Sequence, residues 1–135
     1  MKEKLFLGVQ ALLFIAYGLY CLVNPTVLLE SAGVMATSVT ATIELQSMYG
    51  GLQTAVGAMC ALAVMQPRLR FPTLLALLFL FAGLAVVRVT LGLTQGDYSG
   101  YTSFAMVFES VSLLLLIWLI RTAQPEGGDT ARRTG

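Results

Sequence analysis

Three ionisable side chains fall inside or at the edge of long apolar stretches of this chain: Glu44, Arg88 and Glu109. A charge in the hydrocarbon core of a bilayer costs at least a few kcal/mol, so each is expected to face other helices and to find a partner there. Carboxylates beside an arginine can anchor a polar or anionic ligand, take part in proton transfer, or hold helices together. The pattern therefore indicates a buried charge network.

Arg88 and Glu109 are expected to form an ion pair, because they lie at similar depths in two consecutive antiparallel helices. Arg88 is about six residues from the end of its stretch, roughly 9 Å, and Glu109 about eight residues into the next, roughly 12 Å. Glu44 has two interpretations of equal weight. It is either a first-turn carboxylate favoured by the helix dipole or, if its helix starts a turn earlier near Ser38 or Thr40, a second acceptor for the forked guanidinium of Arg88.

Polar residues recur at helical spacing in the same stretches and predict polar faces turned toward the inside of a bundle. Tyr49 and Gln53 are expected to border the space around Arg88. Such faces are either structural, with amides and hydroxyls bonding between helices at about 1 kcal/mol or less each, or they line a cavity open to the outer leaflet. The structural role is the commoner of the two. The other members of these faces are Gln10, Tyr17, Cys21, Asn24, Gln46, Cys60, Thr102 and Ser112.

A second stripe on the same helix as Tyr49 has only small side chains. It consists of Gly50, Thr54, Gly57 and Ala61, with Gly51 beside it. Small residues let the backbone of a neighbouring helix approach closely. That neighbour is expected either in the same chain or in another copy.

Four apolar runs carry these side chains, each close to the roughly 20 residues that a membrane span requires. The 135 residues are 57% hydrophobic and 11% charged, with a mean hydropathy of +0.81, too few charges to cover a soluble surface. The predicted fold is an all-α, membrane-spanning four-helix bundle over residues 1–121. Its helices are predicted at about 5–23, 43–65, 71–94 and 101–120, with a short amphipathic turn inside the connector 25–42 and a disordered tail at 122–135.

Positive charges lie on one side of this four-pass topology, whereas the two opposite loops carry only Glu30 and Asp97. By the positive-inside rule, the N and C termini are predicted to be cytoplasmic. The positive residues are Lys2, Lys4, Arg68, Arg70, Arg121, Arg132 and Arg133.

Composition also bears on chemistry. The chain has no histidine and a net charge of +1, so we expect no nucleic-acid partner, no metal site and no cofactor. Cys21 and Cys60 are predicted about 20 Å apart, too far for a disulfide, and are interpreted as small buried hydrophobes. An enzyme is the least favoured class, since no activated nucleophile or catalytic residue set is present.

The segment Glu44–Leu52, ELQSMYGGL, resembles a bacterial integral-membrane family known as domain of unknown function 4345. Its members are similar in length, with four helices and a glutamate followed by a Met-Tyr-Gly-Gly core, here residues 48–51, on the second helix. The first helix ending in Asn24-Pro25, the arginine in the third helix and the glutamate in the fourth fit the same pattern. The resemblance thus covers nearly the whole chain except the tail.

Gln46 stands where members of that family often have an arginine, so no role of that arginine is carried over. The resemblance implies a multi-pass protein of the bacterial inner membrane, but it supplies no established activity. It directs attention to Glu44, Tyr49, Gly50, Gly51, Arg88 and Glu109.

Three classes of function remain. A protein that binds a membrane lipid or a small polar or anionic ligand would use an outer-side cavity around Arg88. An accessory or scaffold subunit would dock another copy or another membrane protein on the small-residue stripe. A small proton-coupled transporter would use Glu109, but Arg88 would hold that carboxylate ionised, which counts against proton exchange. Ligand binding leads narrowly.

The charge distribution makes the topology testable with reporter fusions. Fusions after Gln66 and after Arg121 are expected to report a cytoplasmic location, and fusions after Glu30 and Gly96 an exterior one. Reversal at any two of these sites would contradict the model with both termini inside.

Overall fold

A computed structural model describes residues 1–96 and 99–122, which form helices and short connections. Four stretches are long and apolar enough to cross a membrane: Lys2–Val23, Val39–Met65, Pro67–Gln95 and Gly100–Thr122. The all-α, four-helix prediction is confirmed for the described residues. In chain order the elements are α1 (Lys2–Val23), α2 (Val27–Ala32), α3 (Val39–Leu45), a π-helical segment (Gln46–Gly51), α4 (Leu52–Met65), a 3-10 turn (Pro67–Leu69), α5 (Arg70–Gln95) and α6 (Gly100–Thr122).

Most helix ends lie within a few residues of the predicted bounds. The second span starts at Val39, before its predicted bound at 43, because the Ser38 hydroxyl accepts a hydrogen bond from the Ala41 N–H at 3.1 Å and caps α3. The turn expected in the first connector is the short helix α2, which ends at Gly33 with φ of 67°. Thr122, the first residue of the predicted tail, belongs to α6, and residues 123–135 lie outside the described part.

The second span contains a π-helical segment, Gln46–Gly51, which regular α spacing did not predict. At its end the Leu52 N–H bonds the Ser47 carbonyl, five residues earlier. One extra residue in a turn rotates the following helix by about 100° relative to a regular α-helix. The segment therefore changes which residues of α4 face the bundle. The Met-Tyr-Gly-Gly sequence at 48–51 lies within it.

The small residues of the second span pack against α1 of the same chain. A Cβ on Gly57 would lie 2.6 Å from the Ile15 side chain and 2.8 Å from its backbone nitrogen, and a Cβ on Gly50 would lie 2.6 Å from Leu22. The stripe was expected to pack either against the same chain or against another copy, and it packs against the same chain. Gly51 does not take part, because it is exposed and a Cβ there would meet nothing closer than 4.0 Å.

The core lies toward the end of the bundle that carries the N terminus, the α4–α5 connection and the end of α6, here called the terminal end. The opposite end, called the loop end, carries α2 and the α5–α6 connection. α1 packs on α4 and α5 packs on α6, with fewer contacts between these two pairs. The core residues are Leu7, Ala11, Phe14, Cys60, Ala63, Leu74, Leu77, Phe81, Leu116 and Leu119.

The close approach of α1 to α4 predicts a large effect of a single methyl group at Gly18. An added Cβ would lie 2.6 Å from the Thr54 backbone nitrogen and 2.8 Å from the Gly50 carbonyl oxygen, and backbone atoms cannot move aside as a side chain can. Gly18→Ala should lower unfolding free energy by about 1–3 kcal/mol, measured by thermal unfolding in detergent.

Gly83→Ala is the matched control, because no atom lies within 4 Å of a Cβ at that site and alanine favours a helix. Equal stability of the Gly18→Ala variant and this control would show that α1 and α4 are not in close contact.

Candidate functional site

The expected ion pair between α5 and α6 is present in the loop-end half of the bundle. Nε of Arg88 lies 3.0 Å from both carboxylate oxygens of Glu109. The Glu109 residue is 5% exposed, whereas the Arg88 side chain is 29% exposed. The short α5–α6 connection makes the two helices antiparallel neighbours, which brings the two residues to the same level. The carboxylate is therefore buried against a guanidinium that still reaches the surface.

Arg88 retains hydrogen-bonding capacity beyond this pair. A guanidinium has five N–H donors, and Glu109 engages only the one on Nε. Among the described residues, the two terminal NH2 groups have no acceptor. Arg88 also borders an open pocket of about 400 Å³. The other lining residues are Gly83, Leu84, Val87, Leu91, Gly92, Gln95 and Thr102.

The second span does not contribute to this pocket, contrary to expectation for Tyr49 and Gln53. The lining comes from α5 and from Thr102 at the start of α6, because the pocket opens along the α5–α6 hairpin. Tyr49 is nevertheless close enough to act electrostatically on Arg88. Gln53 is half-buried and has no hydrogen bond to another described residue.

Tyrosines from three spans gather around the ion pair, and the sequence pattern missed one of them. Tyr101 acts electrostatically on Arg88, as Tyr49 does, and it also interacts with the Tyr17 side chain of α1. Tyr17 in turn interacts with the Cys21 thiol one turn along. The sequence could have identified Tyr101 by its position in the first turn of the fourth helix, at the same end as Arg88. The loop-end half thus combines the ion pair with tyrosines from three spans.

Neither interpretation of Glu44 holds. Helix α3 begins at Val39, so Glu44 lies beyond the first turn where the dipole acts most strongly. Its side chain is exposed, and among the described residues Glu109 is the single carboxylate paired with Arg88. The Ser38 cap starts the helix early, which explains why Glu44 is not in the first turn.

Gln46, the first residue of the π-helical segment, has a structural role. Its amide Nε2 donates a 2.8 Å hydrogen bond to the Leu22 carbonyl in the last turn of α1. Carbonyls in the last turn of a helix have no intrahelical donor, so this contact satisfies one of them and ties the second span to the first.

Gln10 of α1 and Ser112 of α6 form a second buried polar contact, with Nε2 donating to the hydroxyl at 3.3 Å. This is a bond between helices, as the structural interpretation of the polar faces expects. The Gln10 Oε1 atom, however, is buried and has no partner among the described residues. Cys21 and Cys60 are both buried and free.

Four apolar helices and a buried ion pair define a multi-pass helical membrane protein. The chain belongs to the family described as domain of unknown function (DUF4345), whose model matches residues 3–120. No curated protein and no solved structure matches it. The family carries no established activity, so function has to be argued from the site itself.

Removing one member of the ion pair should destabilise the fold more than removing both. Arg88→Leu leaves the buried Glu109 carboxylate unpaired, which should lower the free energy of unfolding by on the order of 3 kcal/mol. Arg88→Leu combined with Glu109→Leu should recover much of that loss. Folded yield and unfolding in detergent measure both effects. If the double variant lost as much as the two single variants added together, the side chains would not be coupled.

Proposed function

We propose that this protein binds a polar or anionic group at Arg88, presented by a lipid headgroup or by a small free acid. The observation that carries the proposal is the surplus of donors: Glu109 engages one N–H of the guanidinium, and Arg88 lines an open pocket. A purely structural arginine inside a bundle would have its donors satisfied by neighbouring acceptors. The remaining donors match a phosphate or carboxylate group.

The surroundings of Arg88 favour an amphiphilic ligand. Leu84, Val87 and Leu91 give the pocket apolar walls, and the absence of a side chain at Gly83 leaves room along α5. Because Glu109 already neutralises the arginine, recognition would rely on the direction of the free N–H groups more than on net charge. A ligand with an oxygen-rich head and an apolar chain fits both parts.

The two other classes of function lose support at specific contacts. A proton-coupled transporter needs a carboxylate that can exchange its proton, but Glu109 is buried against Arg88. An accessory subunit was expected to dock a partner on the small-residue stripe, yet Gly50 and Gly57 already pack against α1. Ligand binding is the class that these contacts leave strongest.

The side from which the ligand enters follows from the distribution of charge. Within the described residues, Lys2, Lys4, Arg68, Arg70 and Arg121 all lie toward the terminal end, whereas the connectors at the loop end have no Lys or Arg. The positive-inside rule then makes the terminal end cytoplasmic. In the inner membrane of a bacterium, the pocket at Arg88 would open toward the outer leaflet.

Nuclear magnetic resonance of the arginine side chains tests this proposal at the site itself. Protein with ¹⁵N-labelled arginine, in neutral detergent, would be titrated with inorganic phosphate and, separately, with dioctanoyl phosphatidylglycerol. The Arg88 guanidinium signals should shift with at least one of the two probes, and Arg88→Lys identifies those signals by their loss. A shift with phosphate indicates a free anion, and a shift with the lipid alone indicates a headgroup.

Arg68 and dioctanoyl phosphatidylcholine are the controls. Arg68 is exposed and already donates to the Gln66 side chain, so its signals report non-specific attraction of anions. Larger shifts at Arg68 than at Arg88, or no response of Arg88 to either probe, would leave the ion pair as a structural element only.

A further inference from the structure

A second open site shares no lining residue with the pocket at Arg88. An open groove of about 490 Å³ runs between α1 and α6, which otherwise make few contacts with each other. On α6 the groove extends from Phe104 to Leu115, which is roughly 16 Å along a helix. The groove is lined by Leu5, Phe6, Val9, Gln10, Phe104, Val107, Phe108, Val111, Ser112 and Leu115.

The groove has an apolar rim and a polar floor. Leu5 and Phe104 on the rim are each 72% exposed, whereas Gln10 is 3% exposed and Ser112 is 4% exposed. These two polar residues bond to each other across the floor through Gln10 Nε2. A polar pair at the bottom of an apolar groove is the arrangement typical of sites for apolar ligands with one polar group.

The hydrogen-bonding groups of Gln10 and Ser112 on the floor are not all paired. Gln10 Oε1 is buried and has no hydrogen-bond donor among the described residues. Ser112 accepts from Gln10, and its own hydroxyl proton is donated to no other described residue. An amide oxygen that faces hydrocarbon without a donor is unfavourable, since no water is available there. The free acceptor and the free donor together match one hydroxyl group, which donates and accepts at the same time.

We propose that the α1–α6 groove binds a hydroxyl-bearing apolar molecule from the membrane, such as a long-chain alcohol or a hydroxylated lipid. Its hydroxyl donates to Gln10 Oε1 and accepts from the Ser112 hydroxyl, and its apolar part lies along Val107 and Val111 of α6. Stacked rings of Phe104 and Phe108, with centroids 6.2 Å apart, form one wall at the loop end of the groove. This site is separate from Arg88 and does not depend on the function proposed for it.

Two other occupants fit less well. An acyl chain without a polar group fills the groove but leaves Gln10 Oε1 unpaired. A helix from a second copy would rest on the exposed rim, and its backbone N–H groups are already bonded within that helix. It would therefore reach the floor only through a protruding polar side chain. A small hydroxylated amphiphile both fills the groove and supplies the hydrogen bonds that Gln10 and Ser112 lack.

Photolabelling separates these possibilities. A hexadecanol that carries a diazirine in mid-chain, and the methyl ether of the same molecule, would be added to the protein in nanodiscs of saturated phosphatidylcholine. Peptide mapping then gives the ratio of label in residues 5–10 and 104–115 to label at Phe79 and Val86, which are exposed on α5. The alcohol should give a ratio at least about fivefold higher than the ether, because the ether cannot donate to Gln10 Oε1.

Gln10→Leu should remove this difference, since it removes the acceptor while leaving an apolar residue that a bundle in lipid tolerates. Gln53→Leu is the matched control and should keep it, because Gln53 lies on another span outside the groove. Equal ratios for alcohol and ether in the unmodified protein would overturn the proposal. So would a groove that stays unlabelled while the protein runs as a cross-linkable dimer, because a second copy would then cover it.

Discussion

Polar and charged groups inside a bilayer have no water to bond with, and the packing of this bundle depends on how each of them is satisfied. The strongest demand comes from Glu109, whose buried carboxylate needs the guanidinium of Arg88. That contact fixes the relative height of α5 and α6. Tyr49 of the second span acts electrostatically on Arg88, and Tyr17 of α1 interacts with Tyr101, so polar side chains from all four spans lie near this level. The terminal half, which has no such cluster, is held by apolar packing.

The packing of the bundle also depends on close backbone contact between α1 and the second span. Gly18 and Gly57 have no room for a side chain, and the Gln46 amide bonds the last turn of α1. The π-helical segment contains Gln46 and rotates α4 relative to α3. Insertions of this kind are frequent at functional sites in helical proteins. Here the segment places Tyr49 near Arg88, so it links the packing of α1 to the polar cluster.

Two sites remain incompletely satisfied within the described residues, and they differ in chemistry. Arg88 has spare N–H donors beside a pocket between α5 and α6. Gln10 has a spare acceptor beneath an apolar groove between α1 and α6. Unused hydrogen-bonding groups next to open space are features that point to ligands, because buried polar groups are normally paired. The two sites have no lining residue in common, so they can be occupied independently.

The sequence by itself determined the class of fold, the number of spans and the central ion pair. Hydropathy and the length of each apolar run depend on composition along the chain, and the Arg88–Glu109 pairing follows from depth in two helices joined by a short connection. Sequence spacing also placed Gln10 and Ser112 on inward-facing polar faces, because both helices are regular α-helices.

Only the tertiary structure decided two kinds of feature. One kind depends on changes in helical register, and the other depends on which spans lie side by side. The π-helical segment breaks the constant rotation per residue that face predictions assume. The Ser38 cap starts α3 early enough that Glu44 lies beyond the first turn, and its side chain is exposed. The partner of the small-residue stripe and the lining of both open sites depend on which helices pack side by side. Periodicity along one helix shows which residues share a face, but it does not show what that face meets, because that contact is made by residues distant in sequence.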